Sequence, residues 1–147
     1  MDQKKYEELV ENLFLIMPLL KKKLVKYDLY GQELDLNPPH FHILFTLEEM
    51  GMLPVTEIAK ALMISKTNVT SLIQKLIDKG FAQRIYDEKD RRYIRISLTD
   101  EGRYFLENHK ALVIKGLKTK ISKFNEEDLQ KLSSSLQNLK ELLNKVE

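Results

Sequence analysis

The chain contains no cysteine among its 147 residues. This excludes disulfides, thiolate metal sites and cysteine-based redox sensing, because all three require a thiol. No apolar run approaches the roughly 18 residues that span a bilayer. The first twenty residues include Asp2, Glu7, Glu8 and Glu11, which a secretory signal peptide does not tolerate. We therefore expect a soluble, cytoplasmic protein.

Signals for catalysis and for a metal site are also missing. The sequence has no Gly-rich phosphate loop, no His-Glu-x-x-His motif and no Ser-His-Asp pattern, so we expect neither enzymatic activity nor a cofactor. His40 and His42 point about 200° apart around a helix and cannot share one ion. A site made of His42, His109 and Glu33 would be short of ligands. No metal site is predicted, and a zinc-responsive regulator is a minor alternative.

The composition is that of a globular protein with an uneven charge. Hydrophobic residues make up 43% and charged residues 31%, and the net charge is only +2. Residues 54–98 carry nine Lys and Arg against five acids, whereas residues 1–53 carry six against nine. The length and composition predict one domain with a real core. The middle third of the chain is the expected surface for a polyanion.

The middle third also has a recognisable order of elements. Asn37 and Pro38 open a helix that ends at Gly51. A short helix follows at Val55–Leu62, and a second short helix begins after the N-cap Ser65 and ends before Gly80. The apolar period then changes to two, which predicts strands at residues 81–86 and 93–98 joined by a charged tip. This order predicts a mainly α fold with a small β-hairpin wing, a winged helix-turn-helix.

The second short helix has two different faces. Its apolar stripe, which must pack inward, consists of Val69, Leu72, Ile73, Leu76 and Ile77. The predicted DNA-binding face carries Ser65, Lys66, Thr67, Asn68, Thr70, Ser71, Gln74 and Lys75. Short hydrogen-bonding side chains and cations suit the major groove, where they read base edges and hold phosphates. The alternative is a solvated face, but such faces favour stronger helix formers than Ser, Thr and Asn.

The predicted wing adds a second set of DNA-binding candidates. These are Arg84 on its first strand and Lys89, Asp90, Arg91 and Arg92 at its tip. Adjacent arginines on a protruding hairpin can enter a narrow minor groove, where the negative potential is strongest. Asp90 can pair with Arg92 and orient its guanidinium. The alternative is a charged turn that only keeps the hairpin in solution.

Several segments resemble the MarR family of transcriptional regulators. They are Leu53-Pro54-Val55-Thr56-Glu57-Ile58-Ala59, Ser65-Lys66-Thr67-Asn68-Val69-Thr70, Lys79-Gly80-Phe81, Asp90-Arg91-Arg92 and Ser97-Leu98-Thr99-Asp100-Glu101-Gly102. The resemblance covers nearly the whole chain and implies one MarR-like domain over residues 1–147, with the winged helix-turn-helix at about 53–98. Helices at about 5–30 and 105–146 would then interlock in a homodimer. Two departures from the family pattern are Met63 in the turn, where Gly is common, and Pro54, where a capping Thr is common.

The resemblance also implies a function. It predicts a sequence-specific double-stranded DNA-binding regulator, a repressor that binds a pseudo-palindromic operator as a homodimer. The alternative is a winged-helix module that binds protein. Many family members release DNA when a small aromatic or anionic effector binds between the dimer helices and the winged domain. The candidates for that site are Met17, Leu20, Tyr27, Tyr30, His40, Phe41, Phe45 and Tyr104. Phe41 and Phe45 are better explained as core residues.

Overall fold

The fold follows from a computed structural model, which describes residues 2–24 and 33–146. Within these ranges the chain forms six helices and one three-stranded antiparallel sheet, which confirms the mainly α fold with a β wing. The elements are α1 (Gln3–Lys23), α2 (Pro38–Met50), β1 (Leu53–Pro54), α3 (Val55–Leu62), α4 (Lys66–Asp78), β2 (Ala82–Tyr86), β3 (Ile94–Leu98), α5 (Asp100–Ile121) and α6 (Glu126–Leu143). Over the same two ranges, none of the helices combines the length and apolarity needed to cross a membrane.

Side-chain hydrogen bonds cap the starts of α2, α4 and α6. The Ser65 Oγ accepts a hydrogen bond from the Asn68 backbone N–H at 3.2 Å, and Asn125 caps α6 in the same way. At the start of α2 the Asn37 backbone N–H donates to His40 Nδ1 at 2.9 Å. Each bond satisfies a backbone N–H at a helix start, which has no partner within the helix itself.

The wing is a hairpin with a short third strand beside it. The strand order is β1-β3-β2, and β2 pairs with β3 from Ala82 opposite Leu98 to Tyr86 opposite Ile94. Strand β1 pairs Leu53 with Ile96. The sequence does not predict β1, because two residues cannot show a period of two. Its proline occupies an edge strand, where the missing N–H costs no ladder hydrogen bond.

The core belongs to the winged helix and explains which face of α4 is exposed. The fully or nearly buried apolar residues are Leu36, Phe41, Ile43, Leu44, Leu47, Ile58, Ala59, Val69, Ile73, Leu76, Ala82, Ile96, Leu98 and Leu106. Three of the five predicted stripe residues of α4 are in this core, and the other two pack against it. The inward stripe is therefore confirmed, and the polar side chains of α4 must point outward.

The junction between the wing and α5 is a tight backbone contact. The Thr99 N–H donates to Phe81 O at 3.1 Å, and the Thr99 hydroxyl donates to Gly80 O and accepts from the Gly102 N–H at 3.0 Å. A Cβ on Gly102 would lie 2.0 Å from Phe81 O. Only glycine fits there, so the Leu-Thr-Asp-Glu-Gly segment locks the start of α5 to the base of the wing.

The described chain divides into two compact units. The winged-helix unit lies within Tyr27–Leu112, and the helical unit lies within Met1–Lys26 and Val113–Glu147. The winged-helix unit includes α2 and the first half of α5, which contribute core residues to it. In the helical unit, Lys120 Nζ donates to the Lys23 carbonyl at 3.0 Å, where a cation complements the end of α1. Neither α1 nor α6 has a buried residue.

Candidate nucleic-acid interface

The polar face of α4 is open to solvent. Six of its predicted DNA-binding residues are exposed, namely Lys66, Thr67, Asn68, Thr70, Ser71 and Gln74. They share one side of the helix because Val69, Ile73 and Leu76 occupy the other and are buried. The helix therefore presents a continuous row of short polar groups with its apolar side anchored in the core.

Two hydroxyl groups at the start of α4 have defined hydrogen-bonding capacity. The Thr70 hydroxyl donates to the Lys66 carbonyl at 2.8 Å, so toward a base it offers an acceptor and a methyl group. The Ser65 Oγ accepts from the Asn68 N–H, so its own O–H is available as a donor. Ser65 stands at the positive end of the helix dipole, where an anion such as phosphate is favoured.

Lys75 is turned away from the other predicted residues. Its Nζ lies 2.5 Å from Asp35 Oδ2, and its side chain is 32% exposed. The hydrogen bond and charge of Lys75 hold the pKa of Asp35 below its usual range. The ammonium group thus joins α4 to the segment before α2, and the structure does not bring it to the exposed polar row.

The wing tip contains the ion pair that the sequence suggested. Arg92 donates from Nε to Asp90 Oδ1 at 3.0 Å and from Nη2 to Asp90 Oδ2 at 2.8 Å. This bidentate bond lowers the pKa of Asp90 and raises that of Arg92. The predicted Asp90–Arg92 pair is confirmed, and it leaves the Nη1 donors of Arg92 directed elsewhere. The side chain of Arg92 is 90% exposed, and Lys89 and Arg91 are exposed beside it.

A cleft between α4 and the wing collects the basic groups. Its lining consists of Pro54, Val55, Thr56, Lys66, Thr70, Ile73, Arg84, Arg92, Tyr93, Ile94 and Ile96. Three of these side chains are cations and none is a carboxylate, so the charged groups of the lining are all positive. Predicted residues from the helix, the strand and the tip therefore converge on one surface.

Two polar residues that line the cleft were not among the sequence candidates. Tyr93, 66% exposed, stands directly after the tip arginines and adds an aromatic face to the cationic surface. Thr56, in the first turn of α3, is exposed and contributes a hydroxyl. The position of Tyr93 beside Arg92 was a usable signal. Nothing in the local sequence marks Thr56, because α3 approaches the wing only in the folded chain.

The predicted effector residues differ in how deeply they are buried. In the winged-helix unit His40 and Phe41 are buried, Phe45 is half-buried and Tyr104 is 69% exposed. In the helical unit Met17 and Leu20 are exposed. Tyr27 and Tyr30 lie outside the described residues. Phe41 is a core residue with its ring stacked on that of Phe105 at 5.8 Å between centroids.

The described residues do not assemble a metal site. In residues 2–24 and 33–146, no three His, Cys, Asp or Glu side chains lie together as ligands. His42 is exposed on α2, whereas His109 is buried against the phenylalanines of the core. The two histidines considered for zinc thus occupy different environments.

Comparison with known proteins identifies relatives of this chain. Residues 36–94 match the model of the MarR family. The transcriptional repressor MdtR of Bacillus subtilis is 32% identical over 100 residues, which are 67% of this chain and 64% of MdtR. The organic hydroperoxide resistance transcriptional regulator of Bacillus subtilis is 29% identical over 130 residues, 88% of this chain and 87% of that protein.

The structural comparison covers more of the chain than several of the sequence matches. The chain spans between 44% and 64% of the length of four curated relatives, MdtR among them. A solved structure of an S. aureus MepR mutant bound to an oligodeoxyribonucleotide is similar with a TM-score of 0.67 and 26% identity, over 91% of this chain and 97% of that one. With the winged helix-turn-helix, the wing motif and these matches in agreement, the chain belongs to the MarR family.

Proposed function

We propose that the protein is a sequence-specific, double-stranded DNA-binding transcriptional repressor that acts as a homodimer. The observation that carries this proposal is the exposed polar row of α4 beside a cleft lined by three cations and no carboxylate. A helix that offers short hydrogen-bonding groups suits the major groove, and the cations suit the phosphates on either side. The oligonucleotide-bound MepR structure and the name of MdtR as a repressor support the same function.

The proposed DNA complex assigns different tasks to helix and wing. Helix α4 enters the major groove, where Asn68, Thr70 and Ser71 face the base edges. Ser65 and Lys66 bind phosphates at the groove wall. The wing enters the flanking minor groove, where Arg92 binds with the Nη1 donors that Asp90 leaves available. A narrow minor groove has the strongest negative potential and attracts such an arginine.

Dimerisation is supported by the exposed apolar surface of the helical unit. Large apolar side chains that are at least one third exposed in this single chain are Tyr6, Leu9, Val10, Leu13, Phe14, Leu15, Ile16, Met17, Leu19 and Leu20 in α1, and Leu136, Leu139, Leu142 and Leu143 in α6. Monomeric proteins rarely expose contiguous apolar patches of this extent. We propose that a second copy of the chain covers them.

The decisive experiment is the selection of bound duplexes from a random library. We expect a pseudo-palindromic consensus with half-sites about 10 bp apart, because a two-fold dimer presents two copies of α4. The affinity should fall steeply between low and physiological salt, since several cations contact phosphates. Light scattering on the same sample should give twice the mass of one chain.

Three results would contradict the proposal. Binding to the selected duplex no tighter than to a random one would favour a winged-helix module that binds protein. An affinity that does not change with salt would mean that the cleft does not contact phosphates. A mass of one chain at micromolar concentration would remove the dimer and, with it, the expected palindrome.

Effector control is proposed as a further property of this regulator. Its support is the family membership. The absence of cysteine excludes thiol oxidation as the switch, and we propose reversible binding of a small aromatic or anionic molecule instead. A ligand can act only if it binds one conformation of the dimer better than another. Of the candidate residues, Phe41 and His40 serve the core and the start of α2, so these two are poorly placed to receive a ligand.

A further inference from the structure

The side-chain amide of Gln74 joins α4 to the wing. Arg84 Nη2, from β2, donates to Gln74 Oε1 at 2.5 Å. Gln74 Nε2 in turn donates to Asp78 Oδ1, one turn further along α4, at 2.8 Å. We call Arg84, Gln74 and Asp78 the polar relay. Its central amide is engaged at both ends, by a cation on the oxygen and a carboxylate on the nitrogen.

This arrangement conflicts with base reading by Gln74. A glutamine reads adenine with its amide oxygen and nitrogen together, and each of these atoms already bonds a charged partner here. Bonds to charged partners are roughly twice as strong as neutral ones, so they fix the orientation of the amide, and a base that needs another orientation would have to break both. Gln74 also does not line the cleft, whereas Arg84 does.

Arg84 is held without a carboxylate partner, and this explains what the polar relay provides. Among the ion pairs of residues 2–24 and 33–146, none includes Arg84 or Lys66. Arg92 is paired with a carboxylate, but Arg84 is held by the neutral oxygen of Gln74. The guanidinium is therefore fixed in position with no carboxylate to offset its charge, which favours a phosphate contact.

We propose that Gln74 is a positioning residue for Arg84 and that Asp78 sets the orientation of the Gln74 amide. Arg84 then contacts a DNA phosphate in the cleft with its remaining N–H groups. The proposal rests on the DNA-binding function proposed above. It assigns Gln74 to affinity and not to sequence preference, which differs from the base-reading role that the sequence predicts.

The test measures binding of the selected duplex and of its single-base variants at several salt concentrations. Gln74→Ala should weaken binding to every duplex by the same factor, about three- to tenfold. It should also reduce the slope of log affinity against log salt by about one, as Arg84→Ala does. Because both substitutions remove one contact, the double variant should bind as weakly as Arg84→Ala alone.

Asp78 provides a matched pair of variants. Asp78→Asn keeps an oxygen acceptor for the Gln74 amide and removes a negative charge, so it should bind DNA slightly more tightly. Asp78→Ala removes the same charge and the acceptor, and should bind more weakly than wild type. Simple electrostatics predicts that both variants bind more tightly, so the sign for Asp78→Ala separates the two explanations. Thermal unfolding of each variant should stay within a few degrees of wild type, since all three side chains lie at the surface.

Three outcomes would overturn the proposal. Gln74→Ala could relax preference at one base pair, which would make Gln74 a base reader. The loss of affinity in Gln74→Ala could add in full to the loss in Arg84→Ala, which would mean that the two residues act independently. Asp78→Ala could bind as tightly as Asp78→Asn, which would mean that charge alone explains the effect. These outcomes require a wild-type protein that binds the selected duplex in a salt-dependent way. If the wild type shows no such binding, the proposed function itself fails, and the two failures are therefore distinguishable.

Discussion

The imidazole of His109 lies flat against the ring of Phe41, with 4.3 Å between the centroids and 28° between the planes. His109 is 4% exposed, and neither ring nitrogen has a hydrogen-bond partner among the residues that the structure describes. A buried imidazole without partners disfavours the charged form, and burial accordingly lowers the pKa of His109. Burial is also the largest cause of the lowered pKa of His40, followed by the charge of Lys75.

These two histidines predict that the protein loses stability in acid. In the unfolded chain a histidine has a pKa near 6.5, so below about pH 6.5 the unfolded state binds more protons than the folded state. The free energy of unfolding must then fall as the pH decreases. Urea unfolding between about pH 8 and pH 5 measures this dependence.

Substitution of His109 by phenylalanine isolates its contribution. His109→Phe replaces an unpartnered polar ring with an apolar ring of similar shape, so we expect a gain of about 1–3 kcal/mol. It should also reduce the pH dependence of the unfolding free energy. His42→Gln, which changes an exposed histidine of α2, serves as the reference variant. A pH dependence in His109→Phe equal to that of wild type would contradict the assignment.

Breaking the ion pair at the wing tip should change the affinity for DNA in the direction opposite to that expected from the change in charge alone. Asp90→Ala removes a negative charge from the proposed DNA-binding surface, yet it should weaken binding by about three- to tenfold, because Arg92 must then be immobilised by the DNA. Glu88→Gln removes a neighbouring negative charge, and this control should bind slightly more tightly. Fluorescence anisotropy with the selected duplex at fixed salt measures both. Tighter binding by Asp90→Ala would show that the pair does not orient Arg92.

The turn between α3 and α4 carries backbone strain that one substitution should relieve. Met63 has φ 57° and ψ 38°, a left-handed conformation that costs a residue with a Cβ about 1–2 kcal/mol. The side chain is 92% exposed and loses no packing when removed. Met63→Gly should therefore raise the free energy of unfolding by about 0.5–1 kcal/mol after the greater chain entropy of glycine is subtracted. Met63→Ala keeps the strain and is the control, and a glycine variant less stable than the alanine variant would refute the explanation.

Because the chain has no cysteine, we predict that its DNA complex resists mild oxidants. Peroxide should not release the protein from its operator at doses that leave methionine unmodified, since no thiol is present to react. Met63 is the most exposed large apolar residue in the part of the chain that the structure describes, so Met63→Leu shows how much oxidation of this methionine contributes to any release. Release of intact protein by peroxide would contradict the argument. Phenolic and carboxylate compounds titrated into the same complex test reversible effector control, which loses its support if the complex responds to none of them.

Much of the winged helix was determined by local sequence. The stripe from Val69 to Ile77 had to be buried, because its spacing places five apolar side chains on one side of α4, and the polar face followed from it. Ser65 and Asn125 cap the starts of their helices because their side chains reach the backbone N–H three residues further along the chain. The Asp90–Arg92 pair was equally predictable, since two residues in one turn are close in any folded form of that turn.

The tertiary structure decided which polar groups remain available to a partner. Lys75 and Asp35 are 40 positions apart, and Arg84 and Gln74 are ten apart on different elements, so no local pattern predicts either contact. The burial of His109 likewise depends on α2 and α5 packing together. Sequence period determines which face of an element is polar. Whether a polar side chain on that face is free, paired or buried depends on the elements that pack beside it, and only the folded chain brings those together.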